Sequence, residues 1–107
     1  MEIKELMQFI KEYNQRLSEK YGSSKDKEKS ILRSALKIGE EFGELCDEVM
    51  AYHAIQRDSK MENRDEDGLA NEFADVLIAV CMLADDMDVD LEKALEKKIK
   101  KIRERAL

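Results

Sequence analysis

The chain has 107 residues, 41% charged and 43% hydrophobic, with a net charge of −6, no proline and no tryptophan. That length suits one small domain over residues 1–107, and a composition rich in Glu, Lys, Leu and Ala points to an all-α fold. An acidic balance excludes a general nucleic-acid binder, which needs a basic surface. The longest apolar run, the nine residues Val76–Ala84, is too short to cross a membrane.

The N-terminal stretch MEIKELMQFIKEY is amphipathic rather than continuously apolar, so no signal peptide is expected and the chain is placed in the cytoplasm. Ile3, Leu6, Met7, Ile10, Tyr13 and Leu17 recur at helical spacing and predict a first helix over about 2–21, ending at Gly22. The polar linker Gly22-Ser-Ser-Lys-Asp-Lys follows, with Ser24 or Asp26 able to cap a second helix. That helix carries Ile31, Ala35, Ile38, Phe42, Leu45, Val49 and Tyr52 in steps of four and three, which predicts one buried face reaching about Gln56. RDSKMENRDEDG reads as a loop in which Asp65 or Asp67 caps a third helix, from about Gly68 to Asp86. From Val76 to Ala84 this helix is apolar almost all round, so it needs cover on every side. Asp88-Val-Asp90 reads as a capping turn before a fourth helix, from about Leu91 to Arg105, with apolar Leu91, Ala94, Leu95, Ile99 and Ile102. Both cysteines, Cys46 and Cys81, fall in apolar helical stretches and are expected to be reduced and buried. With His53 the sole histidine and no CxxC, no zinc site is expected.

Four helices in one chain of this size make a small four-helix bundle. Such a bundle has too little surface to cover the third helix completely. A homo-oligomer joined through the central helices, a homodimer or homotetramer, is therefore expected, the alternative being a monomer with the third helix at its centre.

The stretch KIGEEFGELCDEV, residues 37–49, sets acidic residues beside an apolar stripe. On a helical wheel with Ile38 at the centre, Glu41, Glu44 and Glu48 gather on one flank, and Glu41 lies about 40° from Leu45. Glu40 and Asp47 fall toward solvent. In the third helix Glu72 lies about 40° from the apolar axis and Asp75 about 100° from it. Glu41/Glu44 and Glu72/Asp75 are thus two i,i+3 pairs, and antiparallel packing of the two helices would set them face to face. Four carboxylates at close range raise one another's pKa or demand a cation. Spacing alone leaves open charged flanks with surface ion pairs, lysines from a neighbouring helix, or a divalent metal. An all-oxygen donor set suits Mg²⁺ or Mn²⁺.

At these residues the sequence resembles the MazG-like all-α nucleoside triphosphate pyrophosphohydrolases, which carry EExxE on one core helix and ExxD on the next. Here the motifs read Glu40-Glu41-Phe-Gly-Glu44 and, 27 residues on, Glu72-Phe-Ala-Asp75. KIGEEFGEL and NEFADVLIAV look like the family's two core helices, and the likeness runs from about Ile31 to Arg105. The resemblance implies that Glu41, Glu44, Glu72 and Asp75 bind Mg²⁺ and carry catalysis. It implies hydrolysis of a nucleoside or deoxynucleoside triphosphate between the α and β phosphates, giving a monophosphate and pyrophosphate, in nucleotide-pool house-cleaning. No nucleophilic Ser or Cys is needed for such a reaction.

The family also places basic residues on its last helix to hold phosphates. Lys98, Lys101 and Arg105 match those positions and share one helix face at i, i+3 and i+7. They would equally complement the helix C-terminus. Lys37, one turn before Glu41, suits either a phosphate contact or an ion pair with that glutamate. Tyr13, Asn14 and Arg33 are possible base or sugar contacts, though a core or surface role is the plainer reading of each. The chain departs from the family at Ile102, where many members have Asn, and lacks the tryptophan of the dCTP-specific branch. Two alternatives stand beside this reading: a phosphoribosyl-ATP pyrophosphohydrolase, or a non-catalytic helical interaction module.

Overall fold

The computed structural model describes residues 1–20, 27–55 and 67–106, and these form four α-helices and no strand. They are α1 (Ile3–Lys20), α2 (Lys27–Ile55), α3 (Gly68–Asp86) and α4 (Leu91–Ala106). The expected linker after Tyr21, the loop after α2 and the caps at Ser24, Asp26 and Asp65 lie outside the described residues.

The stripe on α1 turns inward as its spacing predicts from Ile3 to Ile10, while Tyr13 is exposed. Leu6 and Ile10 are buried with Cys81 of α3, and Ile3, Met7, Ile78, Met82 and Leu91 pack around them. Phe9 lies outside this core and stacks on Tyr13, ring centroids 5.7 Å apart.

α2 and α3 run antiparallel, and three contacts set their register. At one end the Ser34 hydroxyl donates to Asp86 Oδ2 over 2.6 Å. In the middle Glu41 lies level with Glu72 and Asp75. At the other end Gly68 faces Glu48, whose Oε2 would stand 3.0 Å from a Cβ added at the glycine. The small residue therefore lets the start of α3 come close to α2.

The face that α2 turns inward differs from the expected one. Buried or half-buried positions run Ser34, Ile38, Glu41, Leu45, Glu48 and Ala51, again in steps of four and three. Ala35, Phe42, Cys46 and Val49, expected inside, are exposed, and Phe42 keeps 57% of its surface. The inward face keeps Ile38 and Leu45 of the expected stripe but is turned from them toward the flank that carries Glu41 and Glu48, which leaves the Phe42 side open. Cys46 is correspondingly a surface thiol, whereas burial of Cys81 raises its thiol pKa. Helix α3 shows the same division: Phe73, Leu77 and Val80 face outward.

Helix α3 ends in a tight turn. The Val89 amide donates to Ala84 O over 2.9 Å and the Asp88 amide to Asp85 O over 3.1 Å. Asp88 adopts the left-handed backbone at φ 56°, the conformation that closes a Schellman-type helix end. Asp90 Oδ1 then accepts from the Lys93 amide over 3.1 Å and caps α4, as its position in the turn predicts. Asp67, at the start of α3, makes no such side-chain cap; its carbonyl accepts from the Asn71 amide instead.

Past Leu91, α4 carries its apolar residues Leu95, Ile99 and Ile102 exposed. The radius of gyration is 17.1 Å, against about 13 Å for a compact domain of this length, so the single chain leaves helix faces open.

Candidate metal centre

The inward stripe of α2 brings Glu41 against α3, where Glu72 and Asp75 sit one turn apart. One carboxylate oxygen from each of the three lies within 4.8 Å of the others. Glu41 is only 8% exposed, and Glu72 is half-buried. The Lys37 ammonium lies 3.0 Å from Glu41 Oε1 and 3.6 Å from Glu40 Oε2, so this lysine pairs with glutamate. That pairing raises the Lys37 pKa, with the hydrogen bond to Glu41 contributing most.

Lys37 leaves part of the cluster unsatisfied. Glu41 Oε2 and Glu72 Oε2 are both buried with no hydrogen-bond donor in reach. Buried carboxylate oxygens are costly without a partner. The Glu72 carboxyl pKa is raised, first by desolvation and then by the charges of Glu44, Asp75, Glu41 and Glu48. Both features mark a place that lacks positive charge. A hard divalent cation fits this donor set: all ligands are oxygen, and oxygens on opposite sides of a bound Mg²⁺ stand about 4.2 Å apart.

Glu44 stands outside the set of three and is exposed. Its carboxyl pKa is nonetheless raised, mainly by the charge of Glu41 one turn away. Of the four expected ligands, the fold thus gathers Glu41, Glu72 and Asp75 and leaves Glu44 at their margin. Glu40 is exposed, as the wheel predicts, and pairs with Lys37.

A cleft of about 900 Å³ opens beside the acidic trio. Glu41, Asp75 and Lys37 line one end, Arg33 and Glu40 line its side, and Tyr13, Asn14 and Leu17 of α1 form a further wall. Its other end holds a polar network that sequence reading missed. Asn14 Nδ2 donates toward Asp85 Oδ2 at 2.9 Å, Met82 O at 3.2 Å and Asp86 Oδ1 at 3.4 Å, while Ser34 holds the second oxygen of Asp86. A signal was present. Ser34 lies seven residues before Glu41 and Asp86 eleven after Asp75, each within about 20° of the same helix face. Lys98, Lys101 and Arg105 are exposed on α4 and do not line this cleft.

Comparison with known proteins agrees with this geometry. No curated protein and no solved structure matches the chain. The sequence model of the MazG nucleotide pyrophosphohydrolase domain matches residues 29–106, which take in nearly all of α2, the whole of α3 and α4, and all five motif carboxylates. The chain therefore belongs to the MazG nucleotide pyrophosphohydrolase family.

Proposed function

We propose that the protein is a Mg²⁺-dependent hydrolase that splits a nucleoside or deoxynucleoside triphosphate into the monophosphate and pyrophosphate. Water adds across the anhydride between the α and β phosphates, so no oxidant or second substrate is needed. Glu41, Glu72 and Asp75 would hold the ion, with Glu44 as the fourth carboxylate. Mn²⁺ would fit the same oxygens. The ion would supply charge neutralisation at the phosphate oxygens and acidify a water. The observation that carries this reading is the pair of buried, donor-less oxygens on Glu41 and Glu72, in a carboxylate cluster whose Glu41 and Asp75 line a nucleotide-sized cleft.

The chain's own groups divide the remaining work. Lys37 balances Glu41 until phosphate arrives, then turns to it, since its side chain is more than half exposed. Lys98, Lys101 and Arg105 bind the released end of the triphosphate, and because they lie off the cleft of their own chain, they do so from a neighbouring copy or on rearrangement of α4. A homodimer or homotetramer covers the open faces of α2, α3 and α4. Support comes from Phe42, Phe73, Leu77, Leu95 and Ile99, each more than 40% exposed. The physiological setting is cytoplasmic nucleotide-pool house-cleaning by a single domain.

The test is pyrophosphate release from the common NTPs and dNTPs, with Mg²⁺ or with chelator, and with Glu72→Ala as control. Metal-dependent release of pyrophosphate with monophosphate, lost in the variant, is the expected result. Release that persists in chelator, or in the variant, would overturn the assignment.

A further inference from the structure

The polar network opposite the acidic trio bears on which nucleotide the cleft takes. This inference rests on the hydrolase reading in one respect: phosphates at Glu41 and Asp75 place the nucleoside toward Asp86. Asp86 and Asp75 are eleven residues apart on one face of α3, about 16 Å along the helix. Less the reach of the two side chains, that is the span from an α-phosphate to the far edge of a base. Ile78, Ala79 and Met82 line the cleft between them and offer apolar surface to the faces of a ring.

The chemistry of that far end is one-sided. Asp86 is half-buried, and among the described residues each of its oxygens accepts one bond, from Ser34 at 2.6 Å and from Asn14 at 3.4 Å. An ionised carboxylate has about four acceptor sites, so each oxygen can take a further donor. Asn14 must keep its nitrogen on α3, because turning the amide would press its carbonyl against three oxygens. Among the described residues, no lysine or arginine lies within ion-pair distance of Asp86. Among the described residues, this end offers a ligand a positioned acceptor with no cation paired to it.

We propose that Asp86, positioned by Ser34 and Asn14, is a specificity-determining residue that selects a base carrying an exocyclic amino group, such as cytosine or adenine. The amino group donates to Asp86. The oxo group of uracil, thymine or hypoxanthine at the same position would face the carboxylate oxygen to oxygen, and the ring N–H beside it could donate only if the base shifted from that position. Ser34 and Asn14 act through Asp86.

Matched substrates test this: dCTP against dUTP, and dATP against dITP, each pair differing in the amino or oxo group and the adjoining ring proton. Wild type should favour the amino member in kcat/KM by roughly 10- to 100-fold. Asp86→Asn is isosteric and presents a donor as well as an acceptor; it should narrow that ratio by about tenfold, by loss on the amino substrate and gain on the oxo one. Ser34→Ala should narrow it less, through KM. A ratio unmoved by Asp86→Asn, or a preference that follows the 2′-hydroxyl rather than the base, would overturn the proposal. The same pairs are measured as α,β-methylene analogues by calorimetry, which requires no turnover. Preferential binding of the amino analogue, erased in Asp86→Asn, upholds the assignment of Asp86 even if no triphosphate is hydrolysed. Hydrolysis with no base preference in either measurement leaves the hydrolase standing and sinks this inference, as does an absence of analogue binding.

Discussion

Glu41 and Phe42 are neighbours in sequence and opposites in placement. The carboxylate is 8% exposed against α3, while the phenyl ring keeps 57% of its surface on the far side of α2. The contrast extends along both central helices. Their facing sides carry Glu41, Glu48, Glu72 and Asp86 among the apolar residues, and their outer sides carry Leu36, Phe42, Phe73 and Leu77. A fold arranged for stability alone would reverse the two, since buried charge costs free energy and buried phenyl rings contribute it. The proposed cation would account for the inner side, and the proposed cover by a second copy for the outer side.

The most severe break in this comparison is on the inner side. Glu41→Ala and Glu72→Ala should each lower pyrophosphate release by about a thousandfold or more, read from kcat/KM. In metal-free buffer, Glu41→Leu should raise stability to unfolding by about 1–2 kcal/mol, because it removes a buried carboxylate with a donor-less oxygen. A loss of stability in that variant would mean that Lys37 compensates the charge fully. On the outer side, Phe42→Asp combined with Leu77→Asp should leave a 12.4 kDa species in analytical ultracentrifugation where wild type sediments as a larger one. Equal sedimentation of the two proteins would count against cover by a second copy.

Smaller effects sharpen the inner side. Mg²⁺ at ten times its Kd should stabilise wild type by about 1.4 kcal/mol, several degrees in Tm, and leave Glu41→Ala unmoved. The effect should depend on pH in a definite sense. Glu44 and Glu72 have carboxyl pKa values raised above the ordinary 4.5, so the folded protein holds these protons more tightly than the unfolded chain. Metal-free stability from these groups is therefore present at low pH and lost as pH rises from 4.5 through the raised values. Mg²⁺ needs the ionised forms, so its Tm shift should fade on acidification at a pH above that of an ordinary glutamate. The mildest change is at α4: Asp90→Ala removes the cap on the Lys93 amide and should cost about 1 kcal/mol in thermal or urea unfolding.

The sequence shows a good deal of this once the residue spacings are compared with the result. Helix α3 begins and ends where its pattern predicts, because Gly68 and the Asp88–Asp90 turn punctuate it clearly. The i,i+3 carboxylate pairs pointed to the acidic trio, since helical spacing fixes which groups share a face. How far α2 is turned about Ile38 and Leu45 was not legible, because the contacts that set that rotation come from α3. For the same reason Cys46 is exposed where burial was expected. The Asn14–Ser34–Asp86 network escaped because it joins three helices across 72 residues of sequence, with no short motif to announce it.

The turn from Ala84 to Asp90 has a mechanical consequence. It holds no slack: backbone hydrogen bonds from Asp88 and Val89 lock the end of α3, and the Asp90 cap starts α4 immediately. The 16 residues of α4 then form a lever arm about 24 Å long, pivoting on the left-handed residue Asp88. A 10° change at that pivot would sweep the tip through about 4 Å, most of one helical turn. The reach of Lys98, Lys101 and Arg105 is thus governed from a point well away from them, by the backbone angles of a single aspartate.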